Sequence, residues 1–231
     1  MNSKDNETKK QKNKKRRNPF KNFFYDFVKV TGAWTALVWL RPKRIFASKK
    51  AKKHIKGGAV AIANHTHIRD PIALFIAFWY RRVHTIAMSE IFENKLSNWF
   101  FRSALCIPVD RDNFNMQTFR EATDVLSGGG IVGIFPEGHI GSERDAVQSF
   151  KSGAVLMAIK SQVPIVPVYI EPYTKWYRRT VIVIGEPIDP KELCAGTPSI
   201  RDIELISQKM REKEIELMEI YKKWRTKKSS N

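Results

Sequence analysis

The sequence predicts a single α/β domain whose mixed or parallel sheet is flanked by helices. Short apolar runs rich in valine, isoleucine and alanine alternate with longer segments of helical pattern, as is typical of an α/β sheet. A glycine triplet at 128–130 stands between one helical segment and the next apolar run, where a helix stop is expected. The length of 231 residues suits one domain with appendages, and no internal repeat is visible.

Each element is predicted from its own pattern. The strands are short buried runs, and the helices are longer segments that alternate with them. Strands are predicted at 58–63, 84–88, 104–109, 130–135, 163–168 and 180–184, and helices at 71–80, 90–101, 114–127 and 149–161.

A basic tail precedes the predicted domain. Residues 1–18 contain no apolar side chain after Met1, and eight of the first 17 residues are lysine or arginine, which predicts disorder. The formal net charge of the chain is +18, so nucleic acid, anionic lipid and phosphorylated substrates all fit as partners. The tail is therefore a solubilising segment, a nucleic-acid arm or a segment attracted to an anionic membrane.

Residues 19–50 are predicted as a helical segment that docks on a membrane interface. Seven aromatic residues occur between Phe20 and Trp39, and basic clusters flank the stretch on both sides. Asp26 and Lys29 interrupt it, whereas a transmembrane span needs about 20 apolar residues. One bent helix or two short interfacial helices are expected, and a core helix is the alternative. The broken apolar region also argues against a secretory signal.

Residues 51–198 are predicted as the folded domain and residues 199–231 as a C-terminal amphipathic basic helix. Apolar residues recur there at intervals near three and four, so the helix either packs on the domain or makes a second membrane contact. Two cysteines, Cys106 and Cys194, make no disulfide framework, which favours a reducing cytosolic setting. Cys106 lies in an apolar strand pattern and is predicted as core rather than nucleophile.

The stretch Asn64–Pro71, which reads Asn-His-Thr-His-Ile-Arg-Asp-Pro, follows the apolar run at 58–63. A histidine can take a proton from a hydroxyl and return it, and a carboxylate can orient the ring. On one continuous helix His65 and Asp70 would lie about 140° apart, so they meet only if a turn runs into a helix. Pro71 favours such a helix start and makes Asp70 the expected N-cap. Ordinary helix capping is the alternative explanation.

This stretch resembles the His-x4-Asp block of the glycerolipid acyltransferases, the family of the lysophosphatidic acid acyltransferases. Three further stretches are similar to that family's other blocks and follow in the same order: Cys106-Ile-Pro-Val-Asp-Arg111, Phe135-Pro-Glu-Gly138 and Val163-Pro-Ile-Val-Pro-Val168. Phe150-Lys-Ser-Gly153 and Gly185-Glu-Pro-Ile188 resemble weaker landmarks. The resemblance covers roughly residues 57–188. It implies that residues 51–198 are an acyltransferase domain with a glycerol-3-phosphate-acyltransferase-like fold.

The resemblance implies a role for each matched residue. His65 is expected to deprotonate a glycerol hydroxyl that attacks a fatty acyl thioester, and Asp70 to orient the imidazole. Arg111 is expected to bind the acceptor's phosphate, because a guanidinium matches phosphate oxygens bidentately, and Asp110 to hold Arg111 in place.

The third block and the helix start complete the expected site. Glu137 is expected to hold an acceptor hydroxyl or to position its neighbours, and Gly138 to allow close backbone approach. The oxyanion of the reaction needs hydrogen-bond donors, for which the sequence offers backbone amides between Pro71 and Ala73.

The sequence departs from the family pattern at two places. His67 replaces the usual serine, and His139-Ile140-Gly141 replaces Thr-Arg-Ser, so the family's phosphate-contacting arginine is absent. Arg144 or Lys151 is the expected substitute. The family works without a metal, so no metal and no cofactor are expected, although atoms that suit zinc are present at His65, His67, His139 and Asp70.

The resemblance implies an enzyme that moves a fatty acyl group from acyl-CoA or acyl carrier protein to the free hydroxyl of lysophosphatidic acid, giving phosphatidic acid. The missing arginine leaves glycerol-3-phosphate or another lysophospholipid as alternative acceptors. A basic nucleic-acid- or membrane-binding protein without catalysis is the second alternative. The expected partners are anionic membrane lipids, the acceptor and the acyl donor, with no nucleic acid. The expected location is the cytoplasmic face of the cell membrane.

Overall fold

The computed structural model describes residues 19–110, 116–135, 153–173, 179–189 and 199–229, which build a seven-stranded sheet covered by helices on both faces. The strands are β1 (Lys43–Phe46), β2 (Ala59–Ala63), β3 (Val83–Met88), β4 (Ile107–Val109), β5 (Ile131–Ile134), β6 (Ile165–Ile170) and β7 (Val181–Ile184). The α-helices are α1 (Pro19–Leu40), α2 (Asp70–Ala77), α3 (Lys95–Ser103), α4 (Met116–Ser127), α5 (Gly153–Ser161) and α6 (Ile200–Ser229), and a 3-10 helix spans Ser89–Phe92. The predicted α/β class is confirmed.

The sheet order is β1-β7-β6-β2-β5-β3-β4. The five neighbouring strands from β6 to β4 run parallel, whereas β7 runs antiparallel to β6 and pairs with β1 in parallel at the edge. Strand β2 lies between β6 and β5, and all of its residues are buried. The carboxyl ends of the parallel strands therefore meet at one edge, which is where α/β sheets bind their ligands.

Two layers of side chains cover the sheet. Helix α2 packs Leu74 against one face, while α4, α5 and α6 contribute Leu126, Met157 and Ile206 to the other. Gly133 of β5 lies under α2, and a Cβ atom built there would come within 2.5 Å of the Leu74 Cδ2 atom. The absence of a side chain at Gly133 therefore lets α2 lie close to the sheet.

All six predicted strands are present, with bounds that shift by a few residues. Residues 43–46, which the sequence places in the docking segment, instead form strand β1 of the sheet. The sequence Lys-Arg-Ile-Phe has two basic residues followed by two apolar ones, and burial follows the same order. The alternation of apolar and polar residues that predicts a strand is therefore missing. The helix predicted at 90–101 is divided into the 3-10 helix and α3, because the Asn94 side chain accepts the Leu96 amide and starts a new helix.

Helix α1 is one continuous helix of 22 residues rather than two short ones. Tyr25 is buried and its hydroxyl accepts the Val83 amide, and Asp26 forms two hydrogen bonds with Arg82. The Arg82 guanidinium lowers the pKa of the Asp26 carboxyl. One face of α1 thus packs on the domain, as the core-helix alternative predicts. Its other face exposes Phe23, Phe27, Val30, Leu37 and Val38.

Among the described helices, none combines the length and apolar character that crossing a bilayer requires.

Helix α6 packs on the domain, which is the first of the two alternatives for the C-terminal helix. Its second half places Leu217 and Met218 against β6 and β7. The buried Glu171, which follows β6, accepts the Tyr221 hydroxyl at 2.6 Å and the Arg225 guanidinium at 2.8 Å. Because charge-assisted hydrogen bonds are stronger than neutral ones, this carboxylate is the main polar anchor of the helix.

We expect Glu171→Gln to lower the free energy of unfolding by about 1–3 kcal/mol, because the Arg225 guanidinium loses its buried carboxylate. The midpoint of urea denaturation measures the change. Glu216→Gln is the matched control, since Glu216 pairs with Lys213 on the exposed side of the same helix and such pairs contribute about 0–1 kcal/mol. Equal losses in the two variants would contradict the anchoring role.

Candidate active site

Strand β2 ends in an asparagine that fastens the following turn to the sheet. Asn64 is buried, its Nδ2 atom donates to the Ile170 carbonyl at 2.9 Å, and its Oδ1 atom accepts the Ile170 amide at 2.7 Å. Both bonds join the end of β2 to the end of β6. Asn64 therefore fixes the chain immediately before His65, a function that the sequence pattern did not reveal because its partner is distant in sequence.

Residues 65–70 form a turn closed by one carboxylate oxygen. The Oδ2 atom of Asp70 accepts the Thr66 amide at 2.6 Å and the His67 amide at 2.7 Å, and it lies 3.1 Å from Nδ1 of His65. Asp70 is buried. The expectation that a turn brings His65 and Asp70 together is confirmed.

Asp70 does not cap α2, contrary to the prediction. The helix begins at Asp70 itself, and Arg69 occupies the cap position without a side-chain cap bond. The carboxylate is instead used by amides that precede it, and the Arg69 carbonyl accepts the amides of Ile72 and Ala73 at 3.0 and 3.1 Å. These amides are engaged in the helix and Pro71 has none, so the segment suggested by the sequence does not supply oxyanion donors.

The His65 ring is held on two sides. Nδ1 faces Asp70, and the ring stacks on Phe135 with centroids 4.4 Å apart. A neutral imidazole that donates from Nδ1 carries its free lone pair on Nε2. The pair can therefore offer a base at Nε2 while the carboxylate holds the tautomer and stabilises a positive ring.

His65 lines an apolar pocket of about 2180 Å³. The walls come from α1, α2, β3, α3, α5, α6 and the ends of β4 and β5, with side chains that include Val30, Leu37, Phe75, Ile76, Ile86, Met88 and Phe100. Cys106 lies in one wall with its Sγ atom 3.3 Å from the Thr85 hydroxyl, and burial raises the pKa of its thiol. Cys106 is thus a core residue, as predicted, because a thiol kept protonated is a poor nucleophile.

The other predicted site residues are divided between two parts of the chain. Asp110, at the end of β4, lines the same pocket as His65. The remaining four lie outside the described residues: Arg111, Glu137, Gly138 and Lys151. His139, which contributes to the zinc alternative, also lies outside them. Within the described ranges, no group of three histidine, cysteine, aspartate or glutamate side chains is arranged to hold a metal.

Known proteins resemble this chain over most of the described domain. The sequence model of the family described as Acyltransferase matches residues 44–171, more than half of the chain. The 1-acyl-sn-glycerol-3-phosphate acyltransferase of Bacillus subtilis (strain 168) is 29% identical over 169 residues, covering 69% of this chain and 83% of that protein. The enzyme of the same name from Limnanthes douglasii is 31% identical over 150 residues, covering 62% of this chain and 52% of that protein. The chain thus spans about half of the Limnanthes protein.

The fold has a solved counterpart in the crystal structure of the 1-acyl-sn-glycerophosphate (LPA) acyltransferase PlsC from Thermotoga maritima. The TM-score is 0.61 at 22% identity, over 90% of this chain and 83% of that chain, and this likeness shows the fold. The family match spans the His65–Asp70 turn and much of the wall of the apolar pocket. The resemblance read from the sequence blocks is confirmed, and the chain belongs to the acyltransferase family.

Proposed function

We propose that the protein moves a fatty acyl group from a thioester donor to the free hydroxyl of lysophosphatidic acid, giving phosphatidic acid. The observation that carries the proposal is the position of the His65–Asp70 pair at an apolar pocket of about 2180 Å³. Burying apolar surface contributes roughly 25 cal/mol per Å², so such walls favour a fatty acyl chain. A base beside a fatty chain is the arrangement that acylation of a hydroxyl needs.

In this proposal the reaction exchanges a thioester for an oxygen ester. Nε2 of His65 takes the proton of the acceptor hydroxyl while its oxygen attacks the thioester carbonyl carbon, and a tetrahedral oxyanion forms. Collapse of the oxyanion breaks the carbon–sulfur bond, and the proton held by His65 passes to the departing thiolate. Asp70 keeps Nε2 unprotonated before the attack and stabilises the imidazolium after it.

The acceptor is proposed from the names of the relatives and from the block residues. Arg111, held by Asp110, would bind the acceptor's phosphate, while Glu137 and Gly138 would receive the glycerol part. Lys151 would supply positive charge where the family's arginine is missing. Glycerol-3-phosphate and other lysophospholipids are the alternative acceptors, and acyl-CoA and acyl carrier protein are the two candidate donors.

We also propose that the protein docks peripherally on the anionic cytoplasmic face of the membrane through the exposed face of α1. Phe23, Phe27, Val30 and Val38 are each more than half exposed, at 68%, 54%, 68% and 73%. Apolar side chains of this kind bury in the boundary between headgroups and acyl chains. The basic residues of the segment 1–18 would add about 1 kcal/mol each near an anionic surface.

An acyl-transfer assay tests the main proposal. Palmitoyl and oleoyl donors, as thioesters of CoA and of carrier protein, are offered with lysophosphatidic acid, glycerol-3-phosphate or lysophosphatidylcholine. We expect product from lysophosphatidic acid and a loss of at least about 10³-fold in His65→Ala, because the base is removed. His54→Ala is the control, since His54 stacks on Tyr80 and is not part of the pair. No product with any acceptor, or full activity in His65→Ala, would overturn the proposal.

We expect Asp70→Asn to lower kcat by about 10²–10⁴-fold, because a neutral amide oxygen in the place of Oδ2 no longer stabilises the imidazolium that forms when His65 takes the proton. One amide oxygen can still accept the Thr66 and His67 amides, so the thermal midpoint should change little. Asp70→Ala leaves both amides without the carboxylate oxygen and should lower the midpoint as well. Retained kcat in Asp70→Asn would contradict the orienting role.

Flotation with liposomes that contain anionic lipid tests the docking proposal. We expect the double variant Phe23→Ser/Phe27→Ser to bind about 100-fold more weakly, since each phenylalanine contributes roughly 1.5 kcal/mol or more when buried. Leu205→Ser is the matched control, because Leu205 is 62% exposed on α6 and lies outside the proposed face. Equal weakening in the control, or none in the double variant, would argue against docking through α1.

A further inference from the structure

An arginine within the 65–70 turn stacks against two aromatic rings from other parts of the chain. The Cζ atom of Arg69 lies 3.5 Å from the centroid of the Trp39 ring and 3.9 Å from that of the Tyr173 ring. Trp39 is the penultimate residue of α1, and Tyr173 follows β6. A planar guanidinium gains cation–π and stacking contacts here that a lysine ammonium does not reproduce. The stack therefore joins α1 and the end of β6 to the turn.

Arg69 is connected to the turn through its backbone as well as through its side chain. It directly precedes Asp70, and its carbonyl accepts the two amides that begin α2. Its own amide donates to Nδ1 of His67 at 3.2 Å, and the His67 ring lies 4.7 Å from the Tyr173 ring. A rotation of the backbone at Arg69 would consequently move the Asp70 carboxylate relative to His65.

We propose that the stack of Trp39, Arg69 and Tyr173 prevents this rotation, and that Arg69 is a positioning residue for the His65–Asp70 pair. Arg69 acts through Asp70 rather than on the substrate. The position of α1 on the domain thereby affects the geometry of the His65–Asp70 pair. The inference rests on the proposed acyl transfer for its kinetic test.

Two simpler roles account less well for Arg69. No carboxylate of the described residues forms an ion pair with its guanidinium, so it does not serve as one half of a salt bridge there. Helix α1 is also held at both ends by other contacts, the pair of Asp26 with Arg82 near its start and the bond from the Thr180 amide to the Leu40 carbonyl at its end. The stack thus adds a restraint on the turn beyond those that hold the helix.

The kinetic test compares variants in detergent micelles, so that binding to a bilayer does not enter. We expect Trp39→Ala and Arg69→Lys each to lower kcat about fivefold, which corresponds to the loss of a cation–π contact, with KM for the acceptor changed less than about twofold. The double variant should lose no more than the larger single loss, because both changes remove the same stack.

Two controls accompany these variants. Trp39→Phe keeps an aromatic ring over Arg69 and should retain kcat. Leu205→Ala removes an exposed apolar residue of α6, outside the stack and the pocket, and should also retain kcat in micelles.

A second measurement does not depend on acyl transfer. Proton NMR of the full-length protein reports the His65 Nδ1 proton as a low-field ring resonance while it is hydrogen-bonded to Asp70, and His65→Gln identifies the signal by removing it. We expect the resonance to broaden or move in Trp39→Ala and to stay in place in Trp39→Phe.

Each outcome decides the proposal. Unchanged kcat in Trp39→Ala and Arg69→Lys overturns it, and so do additive losses in the double variant. A raised KM with unchanged kcat also overturns it, in favour of a direct contact between Arg69 and the substrate. If the wild-type protein transfers no acyl group while the resonance responds as expected, the proposed function fails and the positioning role stands.

Discussion

The geometry of the site depends on the Oδ2 atom of Asp70, which accepts two backbone amides and faces the His65 ring. A buried carboxylate loses the hydration of its charge, and charge-assisted hydrogen bonds offset that cost only when the donors are in place. Here the donors are the Thr66 and His67 amides of the turn itself. The turn stays closed only with the Asp70 carboxylate in place, and the carboxylate has its hydrogen bonds only while the turn is closed. Three features position the turn. Strand β2 is buried, Asn64 is hydrogen-bonded to Ile170, and α2 lies close to the sheet over Gly133.

Helix α1 extends this arrangement to the surface of the protein. Near its start it is fastened by Tyr25 and Asp26 beside the first residue of β3, and near its end Trp39 reaches the 65–70 turn. Between these two points Val30 and Leu37 line the apolar pocket while much of each side chain stays exposed, and Phe27 and Val38 are exposed without lining it. Helix α1 therefore contributes both to the wall of the space beside His65 and to the contacts of the 65–70 turn.

The parts of this structure that local pattern governs could be predicted from the sequence. Runs of β-branched residues located six strands, and Pro71 indicated that a turn, not a helix, joins His65 to Asp70. Predictions failed where a local rule had two solutions. The amides at the start of α2 were available for an oxyanion by sequence, but the Arg69 carbonyl accepts them. The Asp70 carboxylate could have capped α2, but it binds the amides that precede it.

Contacts between distant residues could not be predicted in this way. Asn64 forms its hydrogen bonds with Ile170, and Arg69 stacks on Trp39 and Tyr173. These partners are distant in sequence, so only the tertiary structure reveals the contacts. The strand β1 was missed for a related reason, because it is short, lies at the sheet edge and alternates in neither hydropathy nor burial. The roles of Arg111, Glu137, Gly138 and Lys151 lie outside the described residues and stay predictions.

The pairing of β1 with β7 also orders events during synthesis of the chain. Lys43 lies opposite Val181, so the strand that follows α1 has no partner until most of the domain has left the ribosome. Contacts between residues so far apart in sequence form late, because a long loop must close before they do. Strand β1 and the end of α1, whose Leu40 carbonyl accepts the Thr180 amide, thus emerge early and are fixed to the sheet late. During that interval the backbone amides and carbonyls of β1 lack their sheet partner and are open to a chaperone.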